Sequence, residues 1–336
     1  MFYLTYRPKT IQELDNSKVR EVIGRYLTTK DTPHAWLFTG HKGMGKTSVA
    51  RILAKELCKT GDKTLDEHIV NDIENGNSPD VQEINGADNT GIDDVRKLIE
   101  NITYTPIMAK YRMYIIDEVH MLSTSAFNGL LKILEEPPSH AIFILATTAI
   151  DKIPPTIQSR CVRVDLGTAK LEDVIAMLDR IEKGEKLTIP QETKQLIANN
   201  CDRSFRDATK ILEELVAQQA LSPEAAQKYL GIRAKDKLLS YLEGKKAQEA
   251  IVWLQEYTLA GGDPKLLIED TIRRLHAIML KLNGVEPDYP VENLTLTPVQ
   301  VSKLLKLFHE AYTVSRVSPV PQTAIQIAVI EYCQLT

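Results

Sequence analysis

Basic residues do not outnumber acidic ones: 41 Lys and Arg stand against 45 Asp and Glu, a net charge of −4. That excludes a globally cationic nucleic-acid binder, so any DNA contact has to come from a local patch or from a surface shared by several subunits. Cysteine is scarce. Cys58, Cys161, Cys201 and Cys333 lie far apart and form no Cys-x-x-Cys pair, which argues against disulfides and a structural zinc site and fits a reducing cytosol. No apolar run approaches the roughly 20 residues of a membrane span, and the opening Met1-Phe2-Tyr3-Leu4-Thr5-Tyr6-Arg7-Pro8 lacks a signal-peptide pattern. A cytoplasmic protein with no membrane partner is the expectation. Internal repeats and low-complexity tracts are also missing. What is present is an ordinary globular composition, 43% hydrophobic over 336 residues, too long for one core and consistent with two or three domains.

The most informative stretch is Gly40-His41-Lys42-Gly43-Met44-Gly45-Lys46-Thr47, a Gly-x4-Gly-Lys-Thr phosphate cradle. Trp36-Leu37-Phe38-Thr39 before it reads as a buried strand. Thr47 to Leu57 after it reads as a helix, with Val49, Ala50, Leu53 and Leu57 on one side. Strand, glycine loop and helix N-terminus together make an anion site, because backbone N–H groups and the helix dipole converge on it. A bare glycine turn would not need that context. Lys46 is positioned to reach the β- and γ-phosphates of a nucleotide and Thr47 to hold Mg²⁺. Ser48 follows in the same turn and joins the nucleotide-binding set with Gly40, Gly43 and Gly45.

Residues 1 to about 165 alternate apolar runs with helical patterns. Val81–Ile84, Arg112–Ile116, Ala141–Ala146 and Cys161–Val164 read as strands, and Thr90–Ile102 and Ser123–Glu135 as helices between them. Such alternation predicts a parallel sheet covered on both faces. After Gly167 the strand signals stop. Leu171–Ile181, Gln191–Asn199 and Ser204–Ala217 show helical spacing, Leu221–Ala234 reads as a connector with a short helix, and Leu238–Leu242, Ala247–Leu259, Lys265–Leu282, Pro298–Tyr312 and Thr323–Cys333 are helical in pattern. The predicted plan is an α/β nucleotide-binding domain over 1–166, a small helical domain over 167–222 and an all-α domain over 223–336.

Met113-Tyr114-Ile115-Ile116-Asp117-Glu118 ends an apolar strand in two carboxylates, at the edge where ligands sit in an open α/β sheet. Asp117 is expected to bind Mg²⁺, largely through water, and Glu118 to orient and deprotonate the attacking water. His120 reads as a packing or hydrogen-bonding residue. The next strand ends Leu145-Ala146-Thr147-Thr148, where a hydroxyl could orient the same water. Ser204 with Asp207 three residues on resembles a capping box, which places Arg206 in a first helical turn, where the dipole disfavours a cation unless an anion is near.

These residues together resemble the AAA+ ATPases of sliding-clamp loaders, of the bacterial gamma/tau type. The resemblance is carried by Tyr6-Arg7-Pro8-Lys9-Thr10, Asn75-Gly76-Asn77-Ser78-Pro79-Asp80-Val81, Gly91-Ile92-Asp93-Asp94-Val95-Arg96, Asp117-Glu118-Val119-His120-Met121-Leu122, Leu134-Glu135-Glu136-Pro137-Pro138, Leu145-Ala146-Thr147-Thr148, Ser159-Arg160-Cys161 and Ser204-Phe205-Arg206-Asp207-Ala208, in order along nearly the whole chain. It implies a P-loop AAA+ domain, a helical lid and a helical collar that joins subunits. Lys46 and Thr47 then match the Walker A residues, Asp117 and Glu118 the Walker B pair, Thr148 the sensor-1 position, Arg160 an arginine finger acting in trans on a neighbour's ATP, and Arg206 sensor 2. Tyr6, Arg7 and Pro8 fall on the adenine side. The implied partners are delta-like and delta-prime-like subunits, further copies of this chain, the sliding clamp, and primer–template DNA held by its phosphates. Asn89, Thr90 and Gly91, with Arg96 and Lys97, are the candidate DNA-contacting group.

The chain departs from the family in three places. The usual four-cysteine zinc module is replaced by Cys58-Lys59-Thr60-Gly61-Asp62-Lys63-Thr64-Leu65-Asp66-Glu67-His68, so ATP and Mg²⁺ are expected and zinc is not. Asp15-Asn16-Ser17 stands where the family has Val-Gly-Gln. The sequence stops after the collar, without a tau-type extension. Two other classes stay open: a non-hydrolysing scaffold subunit like the family's delta-prime, and another AAA+ DNA remodeller such as a Holliday-junction motor.

Overall fold

The computed structural model describes residues 1–29, 32–88, 101–230, 232–259, 262–287 and 295–334. Two compact units emerge, Met1–Ile189 with Asn200–Glu214, and Pro190–Asn199 with Leu215–Thr336. The predicted helix N-terminus at Asn89, Thr90 and Gly91, together with Arg96 and Lys97, lies outside the described residues.

The first unit is built on five strands, β1 (Ala35–Thr39), β2 (Val81–Asn85), β3 (Arg112–Asp117), β4 (Ala141–Thr147) and β5 (Val162–Asp165). They form one parallel sheet in the order β2-β3-β4-β1-β5. β1 and β4 are buried along their whole length, and β3 all but its last residue. That is why these runs read as continuous rather than alternating: helices cover both faces, so every side chain enters a core. The edge strands β2 and β5 are partly exposed and alternate.

On one face Leu37, Tyr114, Ile116, Phe143 and Leu145 pack with Phe127, Leu130, Ile133 and Leu134 of a helix spanning Thr124–Glu135. The helix is N-capped by Ser123, whose side chain accepts from the Ala126 N–H. Residues of opposite parity, Trp36, Phe38, Met113, Ile115, Ile142 and Ile144, are equally buried, as the two-residue period of a strand requires. The helix Lys46–Cys58 packs across β1, β3 and β4.

Among the described residues, longer helices that the sequence reading did not mark include Ser17–Thr28 and Lys63–Asn75. Ser17–Thr28 is N-capped by Asn16. Lys63–Asn75 occupies the stretch where the resemblance placed a zinc module; its cap Asp62 accepts from Thr64 and Leu65 N–H, and Gly76 ends it in the left-handed region. Asp66 ties the preceding turn, accepting from the Thr60 N–H and hydroxyl and the Gly61 N–H. The last strand starts at Val162 rather than Cys161, because Cys161 N–H is still committed to the Gln158 carbonyl of the preceding helical turn.

The second unit contains only helices among its described residues. Pro264–Leu282, Pro298–Ser315 and Pro321–Gln334 each begin on proline, whose missing N–H costs nothing in a first turn. Leu267, Ile268, Leu275 and Ile278 meet Val301, Leu304, Phe308 and Ala311, and Ile325, Ala328, Val329 and Tyr332, in one apolar core. No described helix is long and apolar enough to cross a membrane.

Candidate nucleotide site

A cavity of about 220 Å³ opens at the carboxyl edge of the sheet, entirely within the first unit. Its floor is the loop between β1 and the helix Lys46–Cys58. Gly43 and Gly45 hold φ values of +82° and +84°, left-handed conformations that turn the backbone into a concave nest and that side-chain-bearing residues adopt at a cost. Gly45 is itself the residue at the helix N-cap, so the first N–H groups of that helix face the cavity mouth without a side-chain cap.

Lys46 is 6% exposed. Its ammonium donates to the Gly40 carbonyl at 2.9 Å and the His41 carbonyl at 3.1 Å. Burial lowers its pKa, and the carboxylates of Glu118 and Asp117 oppose that shift. A cation held in a dry loop on carbonyls is ready to exchange those acceptors for phosphate oxygens. Next to it, Thr47 Oγ1 donates to Asp117 Oδ2 at 2.5 Å. The two oxygens come from residues 70 positions apart in sequence, and hydroxyl with carboxylate is a hard-oxygen pair of the kind Mg²⁺ takes while keeping most of its ligands as water. Among the described residues no cluster of three or more His, Cys, Asp or Glu is placed to hold a metal by itself. Cys58 is buried against the Tyr111 carbonyl at 3.6 Å, and burial pushes its thiol up to about 12.

Glu118 follows Asp117 in the left-handed region, φ +47°, so the chain turns sharply as it leaves β3. Its Oε2 accepts from Thr148 Oγ1 at 3.1 Å and lies 3.3 Å from His120 Nδ1. Gly86, absent from the sequence reading, makes this turn possible. Its N–H donates to the Asp117 carbonyl at 2.7 Å, and a Cβ there would stand 2.7 Å from the Glu118 carbonyl oxygen. The signal was Asn85-Gly86 directly after an alternating strand, a turn dipeptide.

The N-terminal segment closes one side. Tyr6, Arg7 and Pro8 line the cavity. Arg7 Nε donates to Ser48 Oγ at 2.8 Å. Burial, then the nearby Arg51, holds the Arg7 guanidinium below its usual value. Tyr6 donates to Glu185 Oε1 at 2.9 Å, on the helix Leu171–Glu185. Asp15 and Asn16, the residues that depart from the family pattern, also line the cavity. Arg180 of the same helix donates to both Asp15 oxygens, at 2.8 and 3.0 Å, and the Ser17 hydroxyl to Asp173 at 3.1 Å.

Arg206 reaches the cavity, and its N–H donates to the Gly43 carbonyl at 3.3 Å. The capping box read at Ser204 forms only in half. Asp207 N–H donates to Ser204 Oγ at 3.3 Å, but the Ser204 N–H donates instead to the Cys201 carbonyl at 2.8 Å, so the reciprocal bond to the Asp207 carboxylate does not form. Arg160 is not brought to the cavity. It donates to the Thr156 carbonyl at 2.8 Å and pairs with Glu135 at 2.5 Å, one-third exposed.

The comparisons with known proteins bear on this site. Residues 15–170 match the family described as DNA polymerase III, delta subunit. DNA polymerase III subunit tau of Bacillus subtilis is 33% identical over 358 residues, covering 99% of this chain and 63% of that protein. DNA polymerase III subunit gamma of Buchnera aphidicola subsp. Schizaphis graminum is 34% identical over 287 residues, covering 82% of this chain and 79% of that protein. The chain belongs to the DNA polymerase III gamma/tau family. It spans less than two thirds of the length of the Bacillus subtilis tau protein. The fold is that of an AAA+ ATPase with a P-loop: the Holliday junction branch migration motor RuvB of Thermotoga maritima superposes with a TM-score of 0.50 over 77% of this chain and 86% of that one. At 15% identity that likeness concerns architecture alone, and the gamma/tau relationship is the one the sequence carries.

Proposed function

We propose that the chain is an ATP-driven subunit of a sliding-clamp loader, which binds and hydrolyses ATP at subunit interfaces to place a replication clamp on primer–template DNA. The observation that carries this reading is the convergence of Lys46, Thr47, Asp117 and Glu118 on one cavity. A scaffold subunit needs none of the four.

The triphosphate lies on the loop from Gly40 to Lys46, with Lys46 on the β/γ oxygens. Thr47 and Asp117 hold Mg²⁺, which when bound neutralises phosphate charge. Glu118 accepts the proton of the attacking water, and Thr148 fixes the carboxylate. Arg206 reads the γ-phosphate from the chain's own side. Arg160, turned to Glu135 and away from its own cavity, serves a neighbour's nucleotide. Tyr6, Arg7 and Pro8 line the adenine side and Ser48 binds nucleotide with the phosphate loop, with the lid taken as 167–222 and the collar as 223–336. Loss of the γ-phosphate contacts to Arg160 and Arg206 then resets the grip between subunits. The partners are delta-like and delta-prime-like subunits, further copies of this chain, the clamp and DNA.

ATP turnover of the chain assembled with its presumed partner subunits, with and without clamp and primed DNA, tests the reading. Turnover stimulated jointly by clamp and DNA supports the motor. Nucleotide binding without turnover in every mixture replaces it with the scaffold.

A further inference from the structure

We propose that His120 is a positioning residue for Glu118, which anchors one carboxylate oxygen so that the other is aimed at water. The inference rests on the hydrolytic reading above and adds to it a residue that the sequence reads as packing or hydrogen-bonding.

His120 lies on the short helical turn Val119–Met121 that follows β3, and its side chain is 11% exposed. Nδ1 is 3.0 Å from Thr147 Oγ1 and 3.3 Å from Glu118 Oε2. Thr147 is fully buried at the end of β4, and its hydroxyl oxygen also accepts from the Ala149 N–H at 3.0 Å. Strand β4 thereby fixes the imidazole. A carboxylate only accepts, so the approach to Oε2 is attractive when Nδ1 carries the proton. Nδ1 then stands beside Oε2 at 3.3 Å while bonded to Thr147 Oγ1 at 3.0 Å, and Thr148 Oγ1 donates to the same Oε2 at 3.1 Å. Among the described residues no group donates to Oε1. The imidazole and the Thr148 hydroxyl both act on one oxygen and leave the lone pairs of the other for an incoming proton.

The backbone adds to the argument. Glu118 sits at φ +47°, a strained conformation for a residue with a side chain, which persists where its surroundings over-determine it. The turn sets where the side chain starts, and the His120–Thr148 pair sets where it ends. Histidine 120 does not line the cavity, so it acts through Glu118 and not on substrate.

The test is steady-state ATP turnover of the full chain in its assembly, with a fluorescent ATP analogue measuring nucleotide affinity in the same variants. His120→Ala should lower kcat by about 10–100-fold, the scale of misplacing a catalytic group, with KM and analogue affinity within about twofold of wild type. His120→Asn places an amide N–H near the Nδ1 position and should recover most of the loss. His120→Gln, whose amide falls nearer the Nε2 position, should not. A kcat for His120→Ala within about twofold of wild type overturns the proposal, as does a His120→Asn variant as slow as His120→Ala, or a KM that rises as kcat falls. Glu118→Gln, measured alongside, separates the two levels. If Glu118→Gln turns over like wild type, the hydrolytic reading fails and this one with it. If Glu118→Gln is inactive while His120→Ala is unimpaired, only the role of His120 is lost.

Discussion

The Ser204 hydroxyl occupies the space that a side chain on Gly43 would need: a Cβ there would lie 2.0 Å from Ser204 Oγ and 3.2 Å from the Arg206 Cβ. The phosphate loop and the start of the helix Phe205–Ala217 are therefore in direct contact, and the absence of one methyl group brings Arg206 to the nucleotide cavity. Gly45 has a similar φ, but its nearest neighbour would be 4.0 Å away. Gly45→Ala carries only the left-handed backbone cost, about 1–2 kcal/mol. Gly43→Ala adds overpacking of about 1–3 kcal/mol. Denaturant unfolding should rank Gly43→Ala below Gly45→Ala, and equal stabilities would contradict the contact.

The bond from Thr47 to Asp117 predicts how metal and nucleotide are linked. Thr47→Val should weaken ATP binding in Mg²⁺ to about the level wild type shows in excess EDTA, and EDTA should change the variant little. Titration calorimetry in both buffers checks this; a variant that still responds fully to Mg²⁺ would remove Thr47 from the metal site.

Arg160 faces Glu135 rather than its own cavity, which predicts an effect on the neighbour. In the assembled complex Arg160→Ala should leave its own subunit's nucleotide affinity unchanged and depress turnover by about 10³–10⁵ at each interface it serves. Lost nucleotide binding in the isolated variant would place Arg160 in its own site instead.

Asp15 gives a pH signature. Burial outweighs the adjacent Arg180 and raises its carboxyl from 3.8 to about 6. The native state therefore holds this proton more tightly than the unfolded chain does. The stabilisation is complete below pH 3.8 and is lost as pH rises through 6. Asp15→Asn mimics the protonated form, so its stability relative to wild type should improve by about 1 kcal/mol between pH 5 and pH 7.5. Denaturant unfolding at the two pH values measures the difference, and a pH-independent gap would contradict the assignment.

What could be read from sequence follows from range. The buried strands announce themselves as continuous apolar runs, and the phosphate loop by glycines whose backbone angles only glycine takes cheaply. The helix Lys63–Asn75 was harder to see, because only Ile69 and Ile73 are buried among its polar residues, too thin a stripe to stand out, although Asp62 and Gly76 mark its ends. The Arg180–Asp15 pair spans 165 residues, and the His120–Thr147 contact spans 27. No local pattern encodes such meetings; tertiary packing creates them, and in the second case sheet order does so by laying β4 beside β3, so that Thr147 and Thr148 arrive next to His120 and Glu118.

The most direct measurement is an equilibrium titration of ATP and Mg²⁺ into the purified chain, alone and assembled with partner subunits, beside Lys46→Ala. Saturable uptake of one nucleotide per chain, abolished in Lys46→Ala, is the predicted result. No uptake by the wild-type chain in either form would contradict the account at its root.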